Sequence, residues 1–420
     1  MSALLFGTFA AALLIGVPVG FAISLSSISV LMVSDVNLLI VVQRMFASTD
    51  SFPLIAVPFF IFSGDLLARG AISKRLMEFA EAALGRVRGG LKVVTVGTAM
   101  FFSAISGSGA ATTAAVGSTM LPELKARGYR EDSSAALVAA AGTIGVVFPP
   151  SVPMVLYAVI ADQSVIQLFR NGFLPGFVMG GTLIVISMIQ AYKYNYPKST
   201  KFSLSNLWKT FTKAIWGILM PVIILGGIFS GYFTPSEAAV IAVVYALFAS
   251  KVIYRDLTLK DIYRIMVGSA RTTAVIMIII ACSGSFGWVL ANMKIPQQIA
   301  DIVLDISTNK YIIIFLISLA LVVMGLFMET SSVIIILTPV FLPLINSLGI
   351  NLVHFGIIVV VSVAIGMTTP PVAINIFVAS SITGIRMEKI VKAGIPYLIG
   401  LFIVFLLVVY IPMIFPGVIF

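Results

Sequence analysis

Long apolar runs separated by short polar stretches set the pattern of this chain. Residues 2–33 carry no charge; the first charged residue is Asp35. At about 1.5 Å per residue this run reaches roughly 48 Å, too long for one untilted crossing of about 30 Å of hydrocarbon. Either one long tilted helix or two short helices bent at Pro18 fits it. Residues 34–50 are mixed, and 52–67 form the next span. Segment 69–92 sets Arg69, Lys74, Arg75, Arg86, Arg88 and Lys92 against Glu78 and Glu81. It predicts an interfacial amphipathic helix on the cytoplasmic side. Residues 93–121 are apolar again, but a basic loop follows at 123–132. With both ends on the basic side, about 29 residues are too few for two crossings. A re-entrant helical hairpin fits, its tip at 106–113. Residues 133–160 form a span broken at 145–150. Residues 172–192 return to the cytoplasm, where the linker 193–213 carries five lysines and no acid.

The second half opens with a span at 214–230. Thr234-Pro235-Ser236-Glu237 then reads as a capping box with proline at the first helical position. Glu237 is a helix cap on that reading, preferred over an ion ligand. The next span ends at Lys251. Residues 251–271 hold Lys251, Arg255, Lys260, Arg264 and Arg271 and are cytoplasmic. A span runs on to 292, and 293–310 lie outside. A second hairpin, 311–343, enters from that outer side. A broken span at 352–380 returns to Arg386, Lys389 and Lys392, and a last span covers 393–415.

The halves align at one offset. Pro122 and Pro343, Gly145 and Gly366, Pro149-Pro150 and Pro370-Pro371, and Pro175 and Pro396 all lie 221 positions apart (343 − 122, 366 − 145). With hairpins entering from opposite sides, the pattern is an inverted-topology repeat. The expected fold is an all-α polytopic membrane protein of the inverted-repeat ion-transporter kind. It has two re-entrant hairpins and two broken helices. The divisions are 1–92 (first scaffold and arm), 93–160 (hairpin 93–121, broken helix 133–160) and 161–213 (span and linker). They continue with 214–310 (second scaffold and arm), 311–380 (hairpin 311–343, broken helix 352–380) and 381–420 (last span).

Composition narrows the class. The chain is 60% hydrophobic and 10% charged, with a mean hydropathy of +1.13, where soluble domains carry about 25% charge. Its solvent is a lipid bilayer. The formal charge of +10 sits in short loops between spans, which is the positive-inside signature and not a nucleic-acid surface. The lone Cys282 falls in an apolar run and reads as packing. There is no basic n-region and no cleavage site for a removable signal peptide. The chain has no HExxH, no GxSxG and no GxxxxGK[ST], so neither hydrolase chemistry nor ATP use is indicated.

Chemistry is expected at the breaks. Proline removes an amide donor and frees carbonyls of the preceding turn. Such carbonyls at a half-helix end suit a hard cation. One cation site is expected from Ser103, Ser106, Gly145, Phe148 and Pro150. Its repeat partner would use Gly325, Met328, Gly366, Thr369 and Val372, the apolar residues through main-chain oxygen alone. The competing reading is a proline kink that only serves packing; two kinks beside two polar tips favour the site. Two hard cations follow, one per repeat. Glu329 is the one acid near mid-membrane in the second hairpin, an ionisable position that points to function. Half-helix N-termini suit an anion. A substrate carboxylate is expected near Ser106, Ser108, Ser151, Thr330 and Asn375, while Glu329 would accept substrate hydroxyls or assist cation binding, with a tip carboxylate facing water as the alternative. Asp65 is assigned to local pairing with Arg69, and His354 to a surface or cap role.

These residues carry a resemblance. Met100-Phe-Phe-Ser-Ala-Ile-Ser-Gly-Ser-Gly109, Gly142-Thr-Ile-Gly-Val-Val-Phe-Pro-Pro-Ser-Val-Pro-Met154, Phe233-Thr-Pro-Ser-Glu-Ala-Ala239 and Thr369-Pro-Pro-Val-Ala-Ile-Asn375 resemble the large membrane subunit of TRAP (tripartite ATP-independent periplasmic) transporters, over nearly the whole chain. The resemblance implies sodium symport of an organic acid by an elevator motion in a bacterial inner membrane. The family's substrates include C4-dicarboxylates and sialic acids. It also implies two partners, a small four-helix membrane subunit and a periplasmic substrate-binding protein. Ala373 departs from the glycine expected there. A single-chain sodium-coupled anion symporter or antiporter with the same repeat design is the alternative. An intramembrane enzyme built on the Ser-Gly-Ser-Gly tip and His354 is a more distant one.

Overall fold

The computed structural model describes all residues except 35, 70–71, 86, 197–202, 308 and 416–420, and the side chains of 304 and 306. The expectations for Asp35 and Arg86, and for the stretch of the 193–213 linker that holds Lys198 and Lys201, lie outside the described residues. The architecture is all-helical.

The uncharged N-terminal run forms two helices, α1 (Ser2–Leu14) and α2 (Val19–Val33), packed on each other. Gly16, at φ +86°, turns the chain between them, and Pro18 stands at the N-cap of α2, where it interrupts no helical bond. The mixed stretch that follows is itself largely helical, as α3 (Leu39–Thr49). A 3-10 turn at Phe52–Ile55 leads into α4 (Ala56–Arg69). The amphipathic segment is α5 (Ile72–Leu84), whose buried Ile72, Leu76, Met77 and Ala80 share one face.

Helices α6 (Gly90–Ser106) and α7 (Gly109–Ala126) form a helical hairpin turned at Gly107, φ +58°. The first broken span is α8 (Glu131–Gly142), the short α9 (Ile144–Val147) and α10 (Val152–Ile160), bent by 41°. Next come α11 (Val165–Lys193), α12 (Leu204–Phe229) and α13 (Pro235–Phe248), the last closed by a π turn at Ala249–Ile253. The loop expected over 251–271 is mostly helix. Thr258 and Asp261 close a capping box, and α14 (Leu259–Asn292) carries Lys260, Arg264 and Arg271 on its first turns. Its 34 residues reach about 51 Å and so extend well beyond the hydrocarbon. The outer segment likewise contains α15 (Ile295–Ile306). A second pair, α16 (Lys310–Phe327) and α17 (Thr330–Ser347), precedes the second broken span, α18 (Leu352–Gly366) and α19 (Ile374–Thr383). The last helix is α20 (Met387–Ile414).

The same succession therefore occurs twice: hairpin, broken helix, long proline-bearing helix. Pro122 lies inside α7 and Pro343 inside α17, Pro175 inside α11 and Pro396 inside α20. Both Pro-Pro bonds are cis. Among the described residues, eight helices are long and apolar enough to cross a membrane, or nine with the bent pair as one span.

Packing gathers many of the helices around two centres, which contacts of α5 and α4 with α6 and of α14 with α17 connect. In one, α8 and α11 lie on α20, α18 on α16 and α11, and α19 on α7 and α8. In the other, α2, α3 and α4 lie on α14, α13 on α4, and α5 on α12. Every residue of α8 from Ser133 to Gly142 is buried, and its run of alanines lets neighbouring backbones approach closely. The sequence pattern put Lys92 at a membrane boundary, but the structure buries it completely. Its Nζ donates to Ser133 Oγ (2.7 Å), Gln190 Oε1 (2.8 Å) and Tyr397 OH (3.3 Å), joining α6, α8, α11 and α20. His354 bonds the Val408 carbonyl of α20 at 2.8 Å through Nε2, while Asn351 caps α18. Asp65 accepts from Ser269 Oγ of α14 at 2.6 Å, a contact between helices beyond the local pairing expected with Arg69. Cys282 is buried against Phe286 and Val289, as packing.

Candidate functional site

The first hairpin ends in a cluster of neutral oxygens. Helix α6 stops at Ser106 because Gly107 adopts the left-handed conformation, and α7 starts at Ser108, whose hydroxyl accepts from Ala111 N at 3.4 Å. One turn on, Thr112 Oγ1 donates to the Ser108 carbonyl (2.8 Å) and lies 2.8 Å from Ser106 Oγ. Gly145 of the first break is pressed against this cluster. A Cβ there would run into Thr112 Oγ1 and lie 2.6 Å from the Ser108 carbonyl oxygen. Pro150 completes the approach, since its carbonyl oxygen would lie 2.8 Å from a Cβ on Gly107, and Val152 N donates to the Gly107 carbonyl at 3.4 Å.

The expected first set is thus partly assembled. Ser106, Gly145 and Pro150 converge on one tip. Ser103 lies a turn below, its hydroxyl bonded to the Ala99 carbonyl at 2.6 Å. Phe148 turns its ring away, edge-on to Phe173 and Phe177. Thr112, which the sequence reading did not single out, is the central hydroxyl. Its signal was its place four residues after Ser108, on the same helical face.

The second set has the same plan with fewer hydroxyls. Gly325 and Gly366 touch backbone to backbone, with a Cβ on Gly366 only 2.5 Å from the Gly325 carbonyl oxygen. Val372 N donates to the Leu326 carbonyl at 3.1 Å, matching the Val152–Gly107 bond of the first repeat. Met328 is the extended residue that ends α16. Thr369 Oγ1 donates back to the Ile365 carbonyl at 3.0 Å.

The expected anion donors divide. Ser106 and Ser108 sit together. Ser151 is fully buried, its hydroxyl donating to the Val146 carbonyl and accepting from Met154 N, so both its functions are used inside the break. Glu329 caps α17, accepting from Ser331 N (2.9 Å), Ser332 N (3.3 Å) and Ser331 Oγ (3.2 Å). Thr330 is buried and its Oγ1 has no hydrogen-bond partner. Asn375 reaches across to the first repeat and donates to the Ala139 carbonyl at 3.1 Å, while its Oδ1 is buried without a partner. Gly109, Thr113 and Gly142 surround it, and a Cβ on Gly142 would collide with Thr113 Oγ1. The structure thus joins Asn375 to the first hairpin. Glu329 and Thr330 stand at the separate second tip. Glu237 forms the expected capping box, its Oε2 accepting from Thr234 N and Thr234 Oγ1, both at 2.8 Å.

The family described as "Tripartite ATP-independent periplasmic transporter, DctM component" matches residues 6–414. The chain belongs to the TRAP transporter DctM family. Its similarity to individual members is spread along its length. It is 40% identical to the isethionate TRAP transporter permease protein DctMQ of Oleidesulfovibrio alaskensis over 97% of this chain, and spans 65% of that relative. It is 40% identical to the C4-dicarboxylate TRAP transporter large permease protein DctM of Pseudomonas aeruginosa, over 88% of this chain and 86% of that one. Among solved structures, the Alcanivorax borkumensis YdaH transporter shares the fold, with a TM-score of 0.64 at 16% identity over 90% of this chain and 88% of that one. The large TRAP permease is a multi-pass membrane transport subunit, and the tip cluster stands where its two broken helices meet the first hairpin.

Proposed function

We propose that this chain carries an organic acid across a bacterial inner membrane by sodium symport, as the large subunit of a three-part importer. The observation that carries the coupling is the contact of Gly145 with Thr112 Oγ1 and the Ser108 carbonyl beside Ser106 Oγ. Sodium is a hard cation that prefers oxygen ligands. Thr112 gives its proton to the Ser108 carbonyl, so the hydroxyl lone pairs remain for a cation. The donor set is neutral, uncrowded by side chains because residue 145 is glycine, and therefore fits sodium. The second set fits with main-chain oxygens of Gly325 and Gly366 and the Thr369 hydroxyl, whose proton goes to the Ile365 carbonyl. Two sodium ions, one per repeat, follow from this duplication. As cargo they would supply positive charge beside the anionic substrate.

The substrate is an organic acid, supported by the names of the relatives, which cite a C4-dicarboxylate and isethionate. Thr330 Oγ1, buried and unpartnered, is the hydroxyl left to donate to its acid group, while Asn375 Oδ1, also buried and unpartnered, is an acceptor and suits a substrate hydroxyl. The hairpins are re-entrant in this reading, and 93–160 and 311–380 move as an elevator against scaffold helices at 1–92 and 214–310. A small four-helix membrane subunit and a periplasmic binding protein complete the importer. The relative named DctMQ, of which this chain spans 65%, agrees with a second membrane component.

The test is uptake of radiolabelled organic acid into proteoliposomes holding the chain with both partners. Uptake should rise steeply with external sodium. A response flat in sodium and steep in a proton gradient would overturn sodium coupling. Uptake that needs neither partner would favour the single-chain symporter.

A further inference from the structure

Where α5 lies against α12 and the π turn after α13, the structure forms an open cavity of ≈ 490 Å³ lined by Lys74, Arg75, Glu78, Lys213, Trp216 and Tyr254, among others. Three cations face one acid there, and none of Lys74, Lys213 and Glu78 forms an ion pair among the described residues. The Arg75 guanidinium lies 3.7 Å above the Tyr254 ring, and its Nη1 is buried with no hydrogen-bond partner. Tyr254 is itself fixed by donating to the Lys213 carbonyl at 3.1 Å. A stacked arginine beside two lysines with no ion pair among the described residues gives a lining that suits a phosphate oxyanion.

Position selects the source of that phosphate. Helix α5, the first half of α12 and the π turn after α13 come together here, and the segments 69–92, 193–213 and 251–271 that hold or flank them are basic. They mark the cytoplasmic membrane interface. Trp216 and Tyr254 are the aromatic types enriched at that depth. Beside the cavity, Phe79, Phe211 and Trp208 form a continuous ring contact from α5 to α12. Trp208, Phe248 and Val252 expose 68%, 47% and 52% of their surface. Polar cations under an apolar shelf match the headgroup and acyl chains of one lipid.

We propose that this cavity binds the phosphodiester of an anionic phospholipid from the cytoplasmic leaflet, pinning arm helix α5 to α12. A basic pocket between helices on this side is a physically suited headgroup site. The inference concerns the arm and is independent of the ion and substrate reading above.

The experiment uses the full chain, delipidated in detergent, and follows thermal unfolding and retained mass by native mass spectrometry. Phosphatidylglycerol should raise the midpoint by about 2 °C or more and leave one bound lipid. Phosphatidylcholine and inorganic phosphate should do neither. The exposed-side double variant Lys74→Ala/Lys213→Ala should fold, keep its midpoint without lipid, and lose the phosphatidylglycerol shift; Arg75→Gln should do the same. An equal shift with phosphatidylcholine, an equal shift with inorganic phosphate alone, or an undiminished shift in the double variant would each overturn the proposal.

Discussion

The side-chain amide of Asn375 in α19 donates to the main-chain carbonyl of Ala139 in α8, 3.1 Å away. The carbonyl has need of it. The helical donor four residues on, Thr143 N, bonds Ala140 instead, because α8 ends at Gly142. The second broken helix thus supplies what the first lacks. Asn375→Leu should leave a buried carbonyl without its donor and cost about 1–3 kcal/mol. The expected reading is a lower thermal midpoint in detergent for the purified chain. An unchanged midpoint would show that this bond does not hold the repeats together.

Two glycines admit no side chain for different reasons. At Gly145 a methyl group would meet Thr112 Oγ1 and the Ser108 carbonyl, and at Gly366 it would meet only backbone atoms of Gly325. No rotamer change relieves the second contact, whereas at Gly145 the Thr112 Oγ1 part can give way and only the Ser108 carbonyl part cannot. Gly145→Ala should raise the sodium concentration for half-maximal uptake by about tenfold, roughly 1.4 kcal/mol of cation binding. Gly366→Ala should lower the amount of folded protein in the membrane as well. Sodium titration of uptake, normalised to expression, separates the two. An unaltered sodium response in Gly145→Ala would remove the first tip from the coupling site.

Much of this was legible in the sequence, because glycine and proline act on the backbone where they stand. The repeat offset and both breaks followed from those residues alone, and the hairpin, its tip expected at 106–113, followed from its basic flanks and its length. The capping box at Thr234 and Glu237 was equally local. What depends on contacts between distant segments was not legible. Nothing near Lys92 in sequence announces Gln190 or Tyr397. Ser151 looked free for a ligand, but its hydroxyl is used by Val146 and Met154. Thr112 lay within the expected tip at 106–113 but was not singled out, because only the placement of Gly145 against it shows its hydroxyl to be central. The helix at 258–271 was missed because its charges were read as a loop, although Thr258 and Asp261 repeat the capping signal found at Thr234.

Thr330 and Ser151 should separate a ligand role from a structural one. Thr330 Oγ1 is buried and unpartnered, so Thr330→Val removes a hydroxyl that stabilises nothing within the chain. The fold should be unchanged or up to about 1 kcal/mol more stable, while the half-saturating sodium or substrate concentration rises several-fold. Ser151→Ala should do the reverse. It removes the N-cap of α10, costs about 1 kcal/mol, and leaves the half-saturation values within about twofold. Thermal midpoints beside uptake kinetics read both. Full activity and unchanged affinities in Thr330→Val would exclude it from the site.

Ala373 stands where the resemblance leads one to expect glycine, and the backbone shows why. Its φ of +45° and ψ of 55° are left-handed, at the N-cap of α19. An alanine there carries about 1–2 kcal/mol of steric cost that glycine does not. Ala373 is also buried, at 1% exposure, so its methyl contributes about 0.8 kcal/mol of burial. Replacing it with glycine loses that burial and adds roughly 0.5–1 kcal/mol of unfolded-chain entropy. These effects offset, and Ala373→Gly should change stability by less than about 1 kcal/mol. Ala379 lies in the same helix, equally buried but in helical conformation. Ala379→Gly removes the same methyl with no steric relief and should cost about 1.5–2 kcal/mol. The difference between the two thermal midpoints isolates the left-handed cost. Equal losses in both variants would show that residue 373 carries no such cost, and the departure from glycine would then be a matter of packing alone.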